Sequence, residues 1–582
     1  MRRYEGLLRP LISPAPWPAR WIVVDTVGKP ISVVDRKGIR QTGLESWHAI
    51  IMSMRGAKCL CREEAAGAEA ASLWTLLVAT TGRAGPTWVI SPRALYSWTL
   101  LGLFERLLTG SLAVANQSPV RPRRKPDRGL GREPGLFMAA DPPSAVMLDL
   151  EGSEKPLTWV CASNYGWAGL CLDVAGLEAC RRLARTIEES SLLLDEHRLG
   201  GWAVTVGAMA MRAWRSQHMK GPLYVSNRSE YLSLCSRGAF GGRCQALQTH
   251  GVRHRCYRLD ARGLYCQLGI DAALPSGFRT HSKRGDSAKI AGRSDESGYL
   301  AAVTIRHNGG RFPCREGREV TYPLGDIQTV LCGPELVQAI KGGYVSEIGE
   351  CLEFKLGSPI ADYEGATKAM RRAAQQSGCT GAASLSKSLA VSLIGKLAAH
   401  EETWEEARPD YNDPISGSWY GPDGKGGLTE WTALGGTVSR RIRRGLAWYA
   451  IPEIPLWLWS LGRAWLWERM NHAGPENCLY VDTDGLIVLE AGYRRLQNLG
   501  LLGEGEWGQL RLINGPTDVE VIGPKVVRIG EEIIYAGAPK NQRGTDFAEK
   551  GYWYRSPLGH EGGAENQGFF EEQFRERKSI SG

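Results

Sequence analysis

A chain of 582 residues is too long for one hydrophobic core, so two or more domains are expected. The hydrophobic fraction of 43% and charged fraction of 23% are typical of a soluble globular protein. The 14 cysteines include no Cys-x-x-Cys pair and no histidines at zinc-finger spacing, which argues against a structural zinc site and a disulfide framework. We therefore expect reduced thiols.

The net charge of +9 is concentrated in basic runs at Arg121–Arg132, Lys368–Arg372 and Arg440–Arg444. A single such run is more often a solvated surface, but three together favour a polyanionic partner such as nucleic acid. The most apolar window, Ala450–Trp467, contains Glu453, Arg463 and two prolines, so it predicts a core helix and no membrane partner. The amino terminus shows no secretory signal pattern.

The amino-terminal part of the sequence alternates between strand and helix patterns. Trp21–Val34 reads as two short strands about a Val-Gly-Lys-Pro turn, and strand-like Thr87–Ile90 precedes helical Leu95–Leu108. A Pro- and Arg-rich loop at Pro119–Pro134 interrupts this alternation. The pattern predicts an α/β domain that ends near residue 195.

Later segments predict a second, larger unit. Tyr257–Tyr265 reads as a strand that runs into a turn and a helix, and Glu364–His400 reads as two helices broken at Gly378–Gly381. Glu402–Gly436 is rich in Gly, Trp and Asp and indicates an inserted loop or small hairpin. A long helix over Ser439–Met470 is expected before the next strands.

Two aspartates interrupt the apolar stretch CLYVDTDGLIVLE at Cys478–Glu490. In an extended strand Asp482 and Asp484 would project to the same side, ~6–7 Å apart. A turn-capping role explains Asp484 before Gly485 but not a second carboxylate in apolar surroundings. Because like charges this close disfavour each other, a bound cation is the alternative explanation.

A third carboxylate, Asp260, has a similar sequence context in CYRLDARGLYCQLGI, where it ends a stretch of alternating apolar and polar residues. A strand that ends in an aspartate beside an Asp-x-Asp hairpin is an economical way to build a site for two metal ions and phosphoryl transfer.

These stretches resemble the motifs of family B DNA polymerases in the family's order. YRLDARGLY resembles motif A, SKSLAVSLIGKLA at Ser386–Ala398 resembles motif B, and LYVDTDG resembles motif C. AFGGRCQAL at Ala239–Leu247 resembles the Tyr-Gly-Gly element, and Val521–Lys540 resembles the Lys-x-Tyr region. The resemblance covers about residues 200 to 545.

The resemblance implies that Asp260 and Asp484 are the principal ligands of two Mg2+ ions, with Mn2+ as a substitute, and that Asp482 supports them. It also implies nucleotide-binding residues and DNA-binding residues. The nucleotide-binding set has Lys387 at the triphosphate, Tyr265 under the sugar to reject a 2′-hydroxyl, and Gly395 and Ile394 at the base pair. The DNA-binding set is Lys525 near the primer end and the Phe240, Gly241 and Gly242 element. Separately, the charge of the basic loop with Arg121, Arg123 and Arg124 makes it a candidate phosphate contact.

The sequence also departs from the family pattern. Ile394 stands where motif B usually has Tyr, Val391 where Asn is common, and Gly485 where motif C has Ser. Gly263 and Cys266 replace Ser and Pro in motif A, and Phe240 and Val527 each replace a Tyr. None of these changes removes a metal ligand. They put base-pair checking and nucleotide affinity in question.

The amino-terminal domain resembles the proofreading exonuclease of the family without its full set of carboxylates. WIVVDTVG matches the first exonuclease motif at Asp25 but has Val27 in place of Glu, and Thr87–Leu103 lacks the Asp of the second motif. No Tyr-x-x-x-Asp precedes residue 200, and the literal Asp149-Leu150-Glu151 comes too late in the domain. We expect an inactive exonuclease-like domain that holds template.

Together these patterns predict a multidomain α/β and α+β chain, in which an RNase H-like, exonuclease-type domain precedes a right-hand polymerase. The expected ranges are the exonuclease-like domain (1–195), palm (196–275 and 437–504), an insertion between motifs A and B (276–355), fingers (356–400), a second insertion (401–436), and thumb with tail (505–582). The two insertions resemble those of protein-primed phage and linear-plasmid polymerases. Ordinary primer extension and a primer-independent start remain alternatives to protein priming.

The predicted function is a DNA-templated DNA polymerase of a virus or mobile element, without proofreading. The expected partners are primer–template DNA, dNTPs and a terminal protein, for a monomer in the cytoplasm of a bacterial host. One alternative is a degenerate polymerase fold that only binds DNA or a replication partner. Another is a reverse transcriptase, although those enzymes usually place two adjacent aspartates where Thr483 intervenes here.

Overall fold

The structure is a computed structural model. It describes residues 5–34, 40–68, 70–80, 86–92, 135–138, 145–149, 157–167, 169–171, 173–226, 228–249, 251–292, 296–316, 319–406, 417–422, 428–434, 437–503, 506–523 and 526–535. The predicted DNA contacts Lys525, Arg121, Arg123 and Arg124 lie outside these ranges. No described helix has both the length and the apolar character needed to cross a membrane.

The amino-terminal domain is built on a mixed sheet. Its described strands are β2 (Arg20–Val34), β3 (Arg40–Arg55), β4 (Lys58–Gly67), β5 (Thr87–Ser91), β6 (Gly135–Met138), β7 (Ala145–Asp149) and β8 (Leu157–Cys161). Their order is β4-β3-β2-β5-β8-β7-β6, and β2, β5 and β8 run parallel. Helices α1 (Ala70–Thr80) and α2 (Leu177–Glu196) belong to this domain. This is the predicted RNase H-like arrangement.

Strand β2 shows why the sheet forms where it does. Trp21, Ile22, Val23 and Val24 are all fully buried, as expected for a central strand covered on both faces. The two short strands expected over Trp21–Val34 are wrong, because β2 is one continuous strand that pairs with β3 along most of its length.

The palm sheet carries the predicted motifs A and C. Its described strands are β10 (Cys244–Ala246), β11 (Arg253–Ala261), β22 (Cys478–Asp482), β23 (Gly485–Leu489), β24 (Leu510–Gly523), β25 (Val526–Ile529) and β26 (Glu532–Tyr535), in the order β10-β22-β23-β11-β24-β25-β26. The helices of this part are α3 (Val206–Ala213), α4 (Ser229–Arg237), α5 (Leu264–Asp271), α10 (Glu453–Ala473) and α11 (Glu490–Asn498). A short strand β1 (Glu5–Leu8) pairs with β9 (Leu223–Ser226), so the start of the chain joins this part.

Between motifs A and B, four described strands form a separate sheet in the order β12-β17-β13-β16. They are β12 (Leu274–Ser282), β13 (Ser297–Ile305), β16 (Ile327–Cys332) and β17 (Val345–Gly357), accompanied by β14 (Cys314–Glu316), β15 (Glu319–Thr321), α6 (Ser287–Ala291) and α7 (Gly333–Lys341). The expected pair of helices follows as α8 (Ala361–Gln376) and α9 (Thr380–Leu397).

The second insertion is larger than the expected loop or hairpin. Its described strands are β18 (His400–Glu406), β19 (Gly417–Pro422), β20 (Leu428–Leu434) and β21 (Thr437–Leu446), in the order β18-β21-β20-β19. The long helix predicted from Ser439 is therefore wrong in its first part. The basic run Arg440–Arg444 lies in β21, paired with β18, and α10 begins only at Glu453.

Candidate active site

The two aspartates of motif C lie at a tight turn: Asp482 ends the strand before it, and Asp484 is part of the turn. Strands β22 and β23 pair so that Asp482 lies opposite Gly485, and Thr483 and Asp484 form the turn between them. Thr483 has a left-handed φ of 64°, which is unfavourable for a β-branched residue. Its N–H donates to the Arg243 carbonyl at 2.6 Å, and the Asp484 N–H donates to the Asp482 carbonyl at 2.7 Å. The expected extended geometry at residues 482–484 is thus replaced by a turn.

Asp260 reaches the same end of the sheet from a different strand. It is the penultimate residue of β11, opposite Gly485 of β23 on one side and Arg511 of β24 on the other. The N–H of Ala261 donates to the Asp484 carbonyl at 2.9 Å, which ties the two motifs together. The structure therefore brings the three predicted carboxylates together at one edge of the palm.

The charges at this edge repel one another. Burial raises the pKa of Asp484 to about 7, and the nearby Asp260 and Asp482 carboxylates add to the rise. Burial also raises the pKa of Asp260, with a smaller contribution from Asp482, while Arg258, Arg511 and Lys387 oppose it. Carboxylates held this way are favoured in their charged form only when a cation neutralises them.

The Asp482 carboxylate already has hydrogen-bond partners within the protein. The Tyr480 hydroxyl donates to Asp482 Oδ2 at 3.3 Å, and the Thr483 hydroxyl donates to Asp482 Oδ1 at 3.0 Å. Within the described ranges no three His, Cys, Asp or Glu side chains form a preassembled metal cluster. Mg2+ is commonly held by only one or two carboxylates together with substrate phosphates and water. The hard oxygen donors of Asp260 and Asp484 fit that requirement.

Lys387 extends from α9 towards these carboxylates. Its side chain is exposed, and its positive charge lowers the pKa of both Asp260 and Asp484. One turn later Val391 is 61% exposed, and a side chain added at Gly395 would meet no described atom within 4 Å. Ile394 is buried in the hydrophobic core, so its side chain does not share the exposed face of α9 with Lys387 and Val391.

The Tyr265 side chain lies beside the motif C turn, wedged between two glycines. A Cβ at Gly242 would lie 3.1 Å from the Tyr265 hydroxyl and 2.9 Å from Thr483 Cγ2. A Cβ at Gly462 of α10 would lie 2.6 Å from the same hydroxyl. The hydroxyl is buried with no hydrogen-bond partner among the described residues, and burial raises the Tyr265 pKa. Both glycines are therefore required for the position of this ring.

The Phe240-Gly241-Gly242 element is fixed from behind by a buried ion pair. Arg463 of α10 donates to Glu335 of α7 at 2.9 Å and also binds the Gly241 carbonyl. Phe240 is itself buried, with the Arg463 and Arg315 guanidiniums 5.7 and 5.6 Å from its ring centre. The Phe240 ring is therefore turned into the protein, while Gly241 and Gly242 are partly exposed.

Several residues at the site were missed by sequence reasoning. Arg258 and Arg511 flank Asp260, and Arg511 has a buried Nε atom without a hydrogen-bond partner in the described structure. Arg258, two residues before Asp260, could have been found from strand periodicity. Arg511 could not, because its proximity depends on the pairing of β24 with β11.

In the amino-terminal domain the one matching exonuclease residue has a structural contact. Asp25 is fully buried, and its Oδ2 accepts the Gly176 N–H at 2.7 Å, at the start of α2. A carboxylate at this position favourably opposes the positive end of a helix. His48 lies opposite Asp25 across β2 and β3.

Known proteins resemble this chain in part of its sequence and in its fold. Residues 202–410 match the family described as DNA polymerase type B, organellar and viral. No curated protein is significantly similar in sequence to the chain. Among solved structures, Phi29 DNA polymerase in an orthorhombic crystal form has a TM-score of 0.57 at 10% identity, covering 90% of this chain and 93% of that chain.

A second Phi29 structure, described as the ternary complex with primer-template DNA and incoming nucleotide substrates, has a TM-score of 0.59 at 10% identity and covers 93% of this chain and 94% of that chain. The likeness to these structures shows the fold. Together with the family match over residues 202–410, it confirms the predicted resemblance to family B DNA polymerases of the phage type.

Proposed function

We propose that the chain extends a primer 3′-hydroxyl with dNTPs on a DNA template by phosphoryl transfer assisted by two metal ions, in the replication of a virus or mobile element. The observation that carries this proposal is the meeting of Asp260 and Asp484 at the end of the palm sheet, with the Lys387 charge acting on both. A DNA-binding scaffold has no need for two buried, mutually repelling carboxylates.

Each described residue has a distinct part in this proposal. Asp260 and Asp484 hold two Mg2+ ions, with Asp482 in support, and the ions supply the positive charge that stabilises the transferred phosphoryl group. Lys387 binds the triphosphate as a point charge. Tyr265 lies under the sugar and leaves no room for a 2′-hydroxyl, so dNTPs are preferred over rNTPs.

The partners follow from the same reasoning. Primer–template DNA and an incoming nucleotide are the molecules named with the similar Phi29 structures. A terminal protein is proposed from the two insertions, which form separate sheets in the structure. The proposed state is a monomer in the cytoplasm of a bacterial host.

Absence of 3′–5′ proofreading is proposed on the state of the amino-terminal domain. The first exonuclease motif retains Asp25, whose carboxylate is buried and accepts the Gly176 N–H, and it has Val27 where the second carboxylate is needed. Hydrolysis assisted by two metal ions requires both carboxylates.

A catalytically weak, DNA-binding protein is the second candidate. It is favoured by motif B, where Ile394 is buried and Val391 is exposed at the positions that the family uses for the nucleotide. The two candidates differ in one property, which is templated incorporation.

The test is extension of a labelled primer–template with Mg2+ and dNTPs, alongside a 3′-labelled single strand for degradation. We expect templated extension by the unmodified chain, none by Asp484→Asn, and no degradation by either. Tight binding of primer–template without extension would support the second candidate, and shortening of the labelled strand would contradict the absence of proofreading.

A further inference from the structure

The amino-terminal domain contacts the fingers helix that carries Lys387. The indole N–H of Trp167 donates to the Gly381 carbonyl at 2.8 Å, in the first turn of α9. One turn further on, the Ser384 hydroxyl donates to the Gly166 carbonyl at 2.8 Å. Trp167 is 2% exposed, so its hydrogen bond is shielded from water. We call Gly166, Trp167 and Thr186 the brace.

The two surfaces fit closely. A Cβ at Gly381 would lie 2.3 Å from Thr186 Cγ2, and a Cβ at Gly166 would lie 2.5 Å from the Ser388 hydroxyl. Gly166 also has a φ of +78°, which favours glycine. The contacts at positions 381, 384 and 388 recur at helical spacing, so they mark one continuous face of α9.

Apolar packing reinforces the polar contacts. Leu385 and Leu389 of α9 are fully buried and belong to the same hydrophobic cluster as Leu183 and Ile187 of α2. Because protein interiors are close-packed, α9 cannot shift against the amino-terminal domain without opening this cluster. The helix is thus held by a domain distant in sequence as well as by its own partner α8.

Lys387 lies on the braced part of α9, between Ser384 and Ser388. Its charge reaches the carboxylates of Asp260 and Asp484 on the palm. The position of this ammonium group therefore depends on where the brace holds the helix.

We propose that the exonuclease-like domain serves as the positioning element of the fingers, and that Trp167 is a positioning residue for nucleotide binding, acting through α9 and Lys387. This inference rests on the proposed polymerase function. It assigns the amino-terminal domain a part in dNTP binding that needs none of the exonuclease carboxylates.

The test compares Trp167→Phe with Trp202→Phe. Both tryptophans are buried in one aromatic cluster, with ring centres 5.7 Å apart. The Trp202 N–H, however, donates to Ser191 at 3.0 Å and not to α9. Both variants therefore lose one buried indole hydrogen bond, but only the first loses a bond to the fingers. A milder pair is Ser384→Ala with Ser377→Ala as control. Within the described part of the chain, the Ser377 hydroxyl bonds only locally, to the Ala373 and Ala374 carbonyls and the Cys379 thiol.

Two readouts separate this inference from the proposed function. The first is hydrogen exchange in peptides covering 379–389 of the free protein, which needs no activity. The second is steady-state incorporation of a templated dNTP. For Trp167→Phe and Ser384→Ala we expect faster exchange and a KM for dNTP raised about fivefold, with kcat and primer–template affinity nearly unchanged, as for the loss of one hydrogen bond.

Coupling through Lys387 gives the decisive comparison. In a Lys387→Ala background, Trp167→Phe should no longer change the KM for dNTP, because Trp167 is proposed to act through Lys387. The effects of substitutions at two coupled residues do not add. Exchange and KM no different from those of Trp202→Phe would overturn the inference, as would faster exchange with an unchanged KM. If the unmodified chain fails to extend any primer, the proposed function is wrong. The hydrogen-exchange data still test whether the amino-terminal domain stabilises α9.

Discussion

At the scale of single residues, Asp484 combines two unfavourable features. It lies in a turn beside Thr483, whose φ is positive, and its carboxyl is buried near Asp260 and Asp482. Turn formation alone is compatible with many residues, including the neutral Asn. The cost of the carboxylate makes sense only if a cation or substrate charge offsets it.

Asp484→Asn is therefore predicted to stabilise the free protein while it abolishes activity. In the presence of a chelator at pH 8, the free energy of unfolding of the variant should be higher by about 2 kcal/mol, because a carboxylate repelled by its neighbours is removed. The variant should therefore melt at a higher temperature. Added Mg2+ should raise the melting temperature of the unmodified chain more than that of the variant. Thermal melts with and without Mg2+ make both measurements.

The matched control is Asp271→Asn. Asp271 ends α5 on the exposed surface, where it accepts from Gln267 at 2.6 Å, outside the carboxylate cluster. It should show the same response to Mg2+ as the unmodified chain. A lower melting temperature for Asp484→Asn in chelator would contradict the repulsion that we describe.

Individual site residues were predictable where their neighbours in sequence marked them. Asp260, Asp482 and Asp484 stand out because apolar strand residues surround them. The sequence predicted a hairpin here but not the left-handed conformation of Thr483, whose N–H donates to the Arg243 carbonyl, 240 positions away in the chain. Arg511 was missed for the same kind of reason, since only strand pairing places it next to Asp260.

At the scale of elements, α10 shapes the side of the site where we propose that the sugar binds, through Gly462. Alanine is ordinarily favoured over glycine in a helix interior by about 1 kcal/mol. At Gly462, however, a Cβ would lie 2.6 Å from the Tyr265 hydroxyl. Gly462→Ala should displace the ring and lower the preference for dNTP over rNTP by about tenfold, measured as the ratio of kcat/KM values.

Gly365→Ala on α8 is the control, because a Cβ there would meet no described atom within 4 Å. It should leave the selectivity unchanged. A native fold with unaltered selectivity in Gly462→Ala would show that Tyr265 does not set the choice of sugar.

The contact of α8 with α5 predicts a dependence of stability on pH. Glu364 of α8 is fully buried, with Oε1 unpartnered in the described structure, and burial raises its pKa from 4.5 to about 8. Between these two values the folded chain holds a proton that the unfolded chain releases. Its contribution to stability therefore falls as pH rises, by about 1.4 kcal/mol per pH unit.

Glu364→Gln should flatten this dependence between pH 5 and 8, because the neutral amide cannot titrate. The control is Asp362→Asn on the same helix, where the carboxylate is half exposed and paired with Lys220 at 3.0 Å. Melting temperatures across this pH range make the measurement. Parallel curves for Glu364→Gln and the unmodified chain would contradict the prediction.

Elements were predictable where the local pattern was strong. The break between α8 and α9 was found because Gly378 punctuates a helical pattern, and its φ is indeed +73°. The helix expected over Arg440–Arg444 was wrong, because pairing with β18, a tertiary contact, makes this segment a strand. Such contacts override local propensity.

At the scale of the whole molecule, Asp25 contributes to the stability of the amino-terminal domain. Its carboxylate accepts a hydrogen bond at the start of α2, the helix that shares a hydrophobic cluster with α9. Asp25→Ala should lower stability by about 1–3 kcal/mol, the usual cost of a buried group left unpaired. Degradation of a 3′-labelled strand should stay at background for both proteins.

Background degradation by both proteins, with a lower melting temperature for the variant, would assign Asp25 to structure. Nuclease activity in the unmodified chain that disappears in Asp25→Ala would assign it to catalysis instead.

The overall architecture was predictable because the order of the motifs in the sequence indicates the order of the domains. Three polymerase motifs in sequence, after an RNase H-like pattern of strands, indicate a right hand behind an exonuclease-type domain. The contacts between these parts were not predictable. Trp167 and Gly381 are 214 positions apart, and nothing near either residue in the sequence marks the other as its partner.

The most direct measurement is single-turnover incorporation of one templated dNTP by the unmodified chain, Asp260→Asn and Asp484→Asn, at saturating Mg2+ and nucleotide. The account predicts rapid incorporation by the unmodified chain and a loss of about a thousandfold or more in each variant, since each removes a metal ligand. Incorporation by either variant at the unmodified rate would contradict the claim that these two carboxylates form the catalytic centre.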